Sequence, residues 1–147
     1  KYVDEFCHIR MELFEELGEI SGIKDISKLK MATEKYYLSH INKDLISFGI
    51  FQNEILVSTG SLCLFNRIPY EKNLSGLEGY ILNIYTSPQF RNRGFANQIL
   101  DEIVEYARKY EIKRLWLNYS DNAEKLYSKK GFVKKENGME LFLFNQI

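Results

Sequence analysis

The sequence has 147 residues, a length typical of one domain that folds around its own core. Its 20 basic and 20 acidic residues cancel, which argues against a dedicated nucleic-acid binder and against a polybasic membrane tether. Hydrophobic residues make up 45% of the sequence, and no repeat, linker or low-complexity segment divides it, so we expect one folded domain over residues 1–147.

Cysteine and histidine are too few and too scattered for a disulfide scaffold or a metal site. The two cysteines, Cys7 and Cys63, form no C-x-x-C pair, and neither His8 nor His40 has further ligands at metal-binding spacing. We therefore expect no metal and a reducing, cytoplasmic location. No apolar run approaches the ~18 residues of a membrane span, so no membrane partner is expected.

The first half of the chain contains two helical patterns followed by strand-like ones. Apolar residues at three-and-four spacing, from Phe6 to Leu17, predict a helix over residues 2–17 that ends near Gly18. A second helix is predicted over residues 31–41. Strands and a polar loop follow, with the strands at residues 45–51, 55–66 and 79–86 and the loop at residues 69–76.

The most regular segment is a long helix in the second half of the chain. Between residues 94 and 110 apolar residues recur with a period near 3.6. This helix lies between the strand at residues 79–86 and a short apolar strand at residues 114–118. A strand–helix–strand unit of this kind predicts two parallel, neighbouring strands with a right-handed crossover.

The chain is expected to close with a helix and a hairpin. Residues 121–130 form a short helix that Ser120 or Asp121 can cap. Residues 132–135 and 139–144 have the pattern of two strands joined at Asn137-Gly138. The order of helices, hairpin, strand–helix–strand unit, helix and hairpin predicts a mixed α+β sheet domain.

The segment that joins the third strand to the long helix carries the strongest chemical signal. Arg91 and Arg93 stand at the start of the helix, where four backbone N–H groups lack intrahelical partners and the helix dipole disfavours cations. No acidic residue and no Ser, Thr or Asp cap occupies this turn, and Gly94 and Ala96 allow close approach to the backbone. An anion such as a diphosphate would complete this helix start, and a solvated basic turn is the alternative. The segment lacks the P-loop and dinucleotide-binding patterns, which argues against ATP, GTP, nicotinamide and flavin sites.

Two patterns in this region together resemble the GNAT superfamily of N-acetyltransferases. Residues 91–96, Arg-Asn-Arg-Gly-Phe-Ala, match the acetyl-CoA loop of that family, R/Q-x-x-G-x-G/A, with the tolerated alanine in last place. Residues 123–132 match its A-x-x-L-Y-x-x-x-G-F block. Each pattern alone is loose, but both in this order, with a periodic helix and a strand between them, are specific.

The resemblance implies an α+β domain with three layers, α/β/α. In that fold the central sheet is twisted and mostly antiparallel, contains a splayed pair of parallel strands and is flanked by helices. The splay opens a slot between the strands that carry Ile84 and Leu117. The matched region covers residues 79–132, and the N-terminal helices and central hairpin agree with the rest of the fold.

The resemblance also implies where acetyl-CoA binds as a co-substrate. Backbone N–H groups of residues 92–97 would hold the pyrophosphate, and Ile84 and Thr86 would hydrogen-bond the pantetheine arm as if it were an added strand. A backbone N–H near Tyr85 would polarise the thioester carbonyl. The residues implied in binding are Ile84, Tyr85, Thr86, Arg91, Asn92, Arg93, Gly94, Phe95, Ala96, Asn97 and Asn118.

For catalysis the resemblance implies Tyr127 as the general acid that protonates the departing thiolate. A phenol of pKa about 10 stays protonated at neutral pH and can supply that proton, whereas simple packing on the inner face of the helix is the alternative. Glu78 is the candidate general base, with a solvated charge at the strand end and water-mediated deprotonation as alternatives. Asn118 and Ser120 either serve the slot or cap the following helix.

These implications lead to an N-acetyltransferase that moves the acetyl group of acetyl-CoA to a primary amine of a small molecule or peptide. The transfer is expected in a ternary complex without a covalent enzyme intermediate. A non-catalytic acyl-CoA-binding regulatory module is the second hypothesis, and a protein-interaction domain that uses the sheet edge is the third. The identity of the acceptor stays open, and so does the formation of a homodimer. Aromatic or acidic residues that could line the acceptor site are Tyr36, Tyr37, Phe65, Tyr70, Glu34 and Glu71.

Overall fold

The computed structural model describes residues 1–22, 25–135 and 137–144. The helices are α1 (Val3–Glu16), α2 (Ser27–His40), α3 (Phe95–Lys109) and α4 (Glu124–Lys129). The strands are β1 (Leu45–Gln52), β2 (Ile55–Asn66), β3 (Leu77–Thr86) and β4 (Arg114–Trp116). Short 3-10 turns at Pro88–Phe90 and Asp121–Ala123 lead into α3 and α4.

The four strands form one mixed sheet in the order β1-β2-β3-β4. Antiparallel pairing joins β1 to β2 and β2 to β3, whereas β3 and β4 run parallel on either side of α3 in the sequence. The predicted strand–helix–strand unit is therefore confirmed. Its neighbour, the β1–β2 hairpin, turns through Asn53 and Glu54, whose positive φ angles of 48° and 66° suit a two-residue connection.

Helices cover both faces of the sheet. Residues 57–62 of β2 are all buried, without the alternation that a half-exposed strand shows. One cluster of buried side chains lies where α3 and α4 meet the sheet and contains Leu62, Ile81, Ile99, Leu100, Ile103, Ala107, Ile112 and Tyr127. A second cluster joins α1, α2 and β1 through Phe6, Tyr37 and Leu45. The resulting α+β architecture with flanking helices is the one that the resemblance implied.

Helix α3 lies very close to β2 at Gly60. A Cβ atom at this position would lie 2.4 Å from Cγ2 of Ile99 on α3 and 2.6 Å from Cδ1 of Ile84 on β3. Carbon atoms in contact are normally separated by about 3.5–4.0 Å, so no side chain fits here. The absence of a side chain at Gly60 lets α3 approach the sheet at the place where β3 changes register.

The C-terminal segment differs from the prediction. No strand is present in residues 130–135 or 137–144, so the expected closing hairpin is not formed there, and residue 136 of its turn lies outside the described residues. Strand β4 pairs over only three positions, which offers a short template for further strands. The apolar side chains of the segment are exposed by 74–101% at Met139, Leu141, Phe142, Leu143 and Phe144.

Several element boundaries also shift. Helix α2 begins at Ser27, four positions before the predicted start at residue 31, where the Ser27 backbone N–H donates to Asp25 Oδ1 at 2.9 Å. Strand β4 ends at Trp116 rather than at residue 118. None of the helices in the described ranges combines the length and the apolar character that crossing a bilayer requires.

Candidate active site

Strand β3 contains a bulge opposite Gly60. Residues 83 and 84 of β3 together face this single glycine, and regular pairing resumes at Tyr85. Asn83 has a left-handed φ of 58°, a conformation that asparagine adopts more readily than most residues. A bulge bends its strand and re-aims the side chains around it. The bend therefore falls in the part of β3 that the sequence assigned to the site.

The parallel strands β3 and β4 part before the bulge. Strands β3 and β4 pair from Glu78 with Arg114 to Tyr80 with Trp116, and no further pairs follow. Strand β3 continues to Thr86, whereas β4 ends at Trp116. The two strands therefore leave a groove of about 1020 Å³ between β3 and the segment that follows β4. The expected slot between splayed strands is present.

The groove brings together nearly all the site residues that the sequence singled out. Strand β3, the loop after it, the first turn of α3 and helix α4 each contribute to its walls. The expected residues in the lining are Ile84, Tyr85, Thr86, Arg91, Asn92, Gly94, Phe95, Ala96, Asn97, Asn118 and Tyr127. Two expected residues, Arg93 and Glu78, are not part of the lining.

The first turn of α3 opens into this groove without a cap. Gly94 is the N-cap residue with a left-handed φ of 78°, no side chain in the described part of the chain caps the helix, and no acidic residue lies in its first turn. Asn92 also has a positive φ, of 63°. A Cβ atom on Gly94 would meet nothing within 4 Å, so the space in front of the helix is open. Backbone N–H groups at such an end can bind an anion.

The two arginines before α3 have different surroundings. Arg91 donates from Nε to the Thr86 carbonyl at 2.9 Å and from its terminal nitrogen to Glu16 Oε2 at 2.6 Å. The hydrogen bond to Glu16 raises the pKa of Arg91 further, so this cation is fixed and neutralised by α1. Arg93 is exposed, hydrogen-bonds the Gln89 carbonyl at 3.5 Å and lies 5.2 Å from the centroid of the Phe90 ring, and it has no carboxylate partner among the described residues. Of the two, Arg93 carries the charge that is free to meet an anion.

Tyr127 points from α4 towards the groove. It is 7% exposed and packs edge-to-face on Phe132 with ring centroids 5.9 Å apart. Burial raises the pKa of Tyr127 to about 12, so the phenol is protonated at any physiological pH. Tyr127 is therefore packed like a core residue, and its hydroxyl group stays protonated at the groove.

Asn118 lines the same groove from the segment that follows β4. Its side-chain amide donates to the Tyr80 hydroxyl at 3.4 Å, and the residue is exposed. Neither the turn at Asp121–Ala123 nor α4 has a side-chain cap, so the alternative roles of Asn118, Ser120 and Asp121 as helix caps are not realised.

Glu78 occupies a different part of the fold, at the start of β3. It is fully buried, accepts hydrogen bonds from Arg114 at 2.9 Å and from the Tyr70 hydroxyl at 3.0 Å, and lies 3.7 Å from Arg67. Burial pushes the pKa of Glu78 up, but the hydrogen bonds and charges of these partners outweigh it and lower the pKa overall. A carboxylate held ionised by two arginines is a weak base, and these surroundings favour a structural role. Its assignment as the general base stays a prediction.

The candidates for the acceptor walls lie outside the groove. Tyr37 is buried in the core against Phe6, with ring centroids 4.7 Å apart. Tyr70 is committed to Glu78, and Tyr36 contacts Cys63 Sγ at 3.6 Å. None of Tyr36, Tyr37, Phe65, Tyr70, Glu34 and Glu71 contributes to the groove lining.

Helix α1 supplies groove residues that the sequence reading missed. Arg10, Leu13, Phe14 and Glu16 all line the groove. The signal was present in the sequence, since Arg10 interrupts an otherwise apolar helical stripe at the three-and-four spacing. The hydrogen bond from Arg10 to Asn83 could not be predicted from this pattern, because the two residues are 73 positions apart along the chain.

No cluster of three or more metal-ligating side chains occurs within the described residues. The open helix end, the parted strands and the protonated phenol instead suit a ligand that carries a phosphate group and an extended arm. Backbone groups of β3 can pair with such an arm, and the helix end can bind its phosphate.

Comparison with known proteins agrees with this geometry. Residues 4–132 match the family model described as the Acetyltransferase (GNAT) family. No curated protein matches the chain at a significant level.

Solved structures extend the match to nearly the whole chain. A predicted acetyltransferase from Clostridium acetobutylicum, crystallised with acetyl-CoA, is 27% identical, with a TM-score of 0.87, and the match covers 97% of this chain and 91% of that one. A GCN5-related N-acetyltransferase from Ralstonia eutropha is 16% identical, with a TM-score of 0.82 and coverage of 96% and 92%. An acetyltransferase from Trypanosoma brucei is 19% identical, with a TM-score of 0.70 and coverage of 97% and 95%. The last two likenesses concern the fold.

Proposed function

The chain belongs to the GNAT acetyltransferase family, and we propose that it transfers the acetyl group of acetyl-CoA to a primary amine of a small molecule or peptide. One observation carries the proposal: the uncapped start of α3, the bulged end of β3 and Tyr127 all face one groove. The first two features are suited to binding the cofactor, and the third places a protonated hydroxyl at the same groove.

The cofactor would lie along β3 and end at α3. Backbone N–H groups of residues 92–97 hold the pyrophosphate, and Arg93 adds an exposed positive charge beside it. Backbone groups of Ile84 and Thr86 pair with the pantetheine arm. Arg91 acts indirectly, because its bonds to Thr86 and Glu16 fix the loop between β3 and α3.

Bound acetyl-CoA supplies an activated acetyl thioester. The neutral substrate amine attacks the thioester carbon, so a C–N bond forms and the C–S bond breaks. The proton that the nitrogen loses as it becomes an amide passes through water to the sulfur. A backbone N–H near Tyr85 stabilises the oxygen that becomes negative during the attack. Tyr127 donates its hydroxyl hydrogen towards the leaving sulfur.

The high pKa of Tyr127 limits what it can contribute. A thiol has a pKa near 8.5, so a phenol of pKa about 12 is the weaker acid of the two. Full proton transfer is uphill, and Tyr127 therefore stabilises the thiolate chiefly by hydrogen bonding while the bond to sulfur breaks. The substrate ammonium loses its proton through water, since Glu78 lies away from the groove.

The test is calorimetry with acetyl-CoA, followed by thiol release measured across a panel of amines. The proposal expects saturable binding of acetyl-CoA and thiol release that depends on both protein and amine. The same binding without thiol release for any amine would favour the non-catalytic acyl-CoA-binding module. No binding of acetyl-CoA would contradict both hypotheses.

A further inference from the structure

Arg10 of α1 is a cation at the groove without an acidic partner. Its side chain is partly buried and lines the groove together with Asn83 and Tyr127. Within the described part of the chain, no carboxylate oxygen lies within 4 Å of its guanidinium. Four other arginines do have such a partner, namely Arg67, Arg91, Arg108 and Arg114.

The contacts that Arg10 does make leave its charge uncompensated. One terminal nitrogen donates to the side-chain oxygen of Asn83, and the guanidinium lies 4.4 Å from the centroid of the Phe14 ring. A guanidinium has five N–H donors, and a neutral amide oxygen satisfies one of them without cancelling the charge. Partial removal of a charge from water is costly unless an opposite charge replaces the lost solvation.

The other charges at the groove do not fill this role. Glu16 is engaged with Arg91 at 2.6 Å. Burial lowers the pKa of Arg10 overall, although the charge of Glu19, which also lines the groove, acts in the opposite direction. Glu19 forms no ion pair with Arg10 within 4 Å in the described residues. The guanidinium of Arg10, beside the β3 bulge, therefore has no carboxylate in direct contact within the described residues, so a ligand can supply one.

We infer that Arg10 binds a carboxylate carried by the acceptor amine, which makes the acceptor an amino acid or a similarly short amino-acid-like molecule. The inference rests on the proposed N-acetyltransferase function and names its substrate class. The planar fork of arginine matches a carboxylate with two parallel hydrogen bonds. The same cation repels polycationic acceptors such as polyamines and aminoglycosides.

The position of Arg10 sets the size of this acceptor. Its hydrogen bond to Asn83 holds the guanidinium at the bulge, and the next residue, Ile84, is proposed to bind the pantetheine arm. Consecutive Cα atoms are separated by about 3.8 Å across a trans peptide bond. A carboxylate at Arg10 and an amine at the thioester are then separated by a distance that a few carbon atoms can span.

The experiment compares matched acceptors with and without the carboxylate. Thiol release from acetyl-CoA is measured for a set of amino acids, for their carboxamides, for the corresponding decarboxylated amines and for phosphoethanolamine. The wild-type protein is expected to favour at least one amino acid over its carboxamide by about 10- to 100-fold in kcat/KM. Preference for phosphoethanolamine over every amino acid would mean that the acceptor carries a phosphate rather than a carboxylate, and this result would overturn the inference.

The variant Arg10→Gln tests the residue. It should lower kcat/KM for the preferred amino acid by about 10- to 100-fold while leaving the carboxamide and the Kd of acetyl-CoA within about threefold. The matched control is Arg108→Gln, which replaces an exposed arginine paired with Glu105. This variant should leave kcat/KM unchanged for both the amino acid and its carboxamide. An unchanged carboxamide activity also shows that the Arg10→Gln variant is folded.

Failure of the inference can be told apart from failure of the proposed function. Equal use of amino acids and carboxamides, or loss of acetyl-CoA binding in Arg10→Gln, overturns the role of Arg10 while turnover itself stands. Absence of turnover for all amines contradicts the proposed function. In that case calorimetry measures the binding of the same amino acids and carboxamides to the CoA-loaded protein. If an amino acid and its carboxamide bind equally well, or if neither binds, the inference is also overturned.

Discussion

Tyr127 provides the sharpest residue-scale test of the proposed chemistry. The variant Tyr127→Phe removes only the hydroxyl, so we expect acetyl-CoA affinity to be retained and kcat to fall by about 10- to 100-fold. Because the pKa of Tyr127 is raised to about 12, the phenol stays protonated from neutral pH to pH 10, and the pH dependence of kcat over that range should be the same in both proteins. Steady-state kinetics between pH 6 and 10 check both expectations.

The matched control is Tyr110→Phe, which removes the hydroxyl of an exposed tyrosine on the far end of α3. Its kcat should equal that of the wild type. If Tyr127→Phe also turned over at the wild-type rate, Tyr127 would have no part in the reaction.

A second residue-scale prediction separates structure from catalysis at Glu78. The variant Glu78→Gln removes a buried charge that two arginines and Tyr70 share. We expect a loss of about 2 kcal/mol in the free energy of unfolding at pH 7 and little change in kcat of the folded protein. The pKa of Glu78 is lowered by folding, so its stabilisation is present above the unfolded pKa of about 4.3 and is lost as the pH falls through the folded value.

Urea unfolding of both proteins at several pH values measures this effect, and the difference between them should shrink below pH 4. The exposed pair of Glu105 and Arg108 supplies the control, since Glu105→Gln should cost less than about 0.5 kcal/mol. A fall in kcat of two orders of magnitude in Glu78→Gln, with stability unchanged, would identify it as the general base after all.

Residues that look alike in the sequence differ in the structure at this scale. Arg91 and Arg93 are both cations at the start of the same helix, but Glu16, 75 positions away from Arg91, neutralises only the first. Glu78 and Tyr127 were likewise assigned from motif position, and only the fold reveals that one is paired with arginines and the other faces the groove. Long-range partners decide these roles, and a single sequence does not contain them.

At the scale of an element, the start of α3 couples stability to ligand binding. In Arg93→Glu a carboxylate replaces a cation near the positive end of the helix dipole, which is the sign that a helix start prefers. The variant should therefore be at least as stable as the wild type, while acetyl-CoA affinity falls by at least about 100-fold because the new charge repels a pyrophosphate. Calorimetry and thermal unfolding of the same preparation measure the two effects.

A global surface-charge effect is excluded by Arg108→Glu, which makes the same charge change in the last turn of α3. That variant should bind acetyl-CoA normally. Normal binding by Arg93→Glu would mean that the start of α3 does not hold the pyrophosphate.

The packing of α3 on the sheet gives a second element-scale prediction. Gly60→Ala places a Cβ atom 2.4 Å from Ile99 and 2.6 Å from Ile84, so the helix or the bulge must move. We expect a loss of about 1–3 kcal/mol in the free energy of unfolding, measured by urea denaturation. Because Ile84 belongs to the proposed pantetheine site, acetyl-CoA affinity should fall as well.

Gly138→Ala is the control for this substitution, since a Cβ atom there would meet nothing within 4 Å. Its stability should stay within about 0.5 kcal/mol of the wild type. A Gly60→Ala protein as stable as the wild type would show that α3 can shift without cost.

At the scale of the whole molecule, regular elements were predictable and their irregularities were not. The parallel pair β3 and β4 followed from the apolar period of α3 between two strand patterns, which is local information. The bulge at Asn83 depends on the absence of a side chain at Gly60 of the neighbouring strand and on Ile99 of α3. The C-terminal hairpin is not formed within residues 130–135 and 137–144 for the converse reason. Its local pattern was suitable, but an isolated hairpin is only marginally stable, and β4, which pairs over three positions, offers it little to add to.

The exposed C-terminal apolar residues have a practical consequence for work with the protein. Met139, Leu141, Phe142, Leu143 and Phe144 face solvent on a molecule whose formal net charge is zero at pH 7. Two copies that meet in a neutral buffer experience little mutual repulsion to oppose contact between these side chains. Concentrated stocks should therefore keep best in a mildly alkaline buffer, where each molecule acquires a net negative charge.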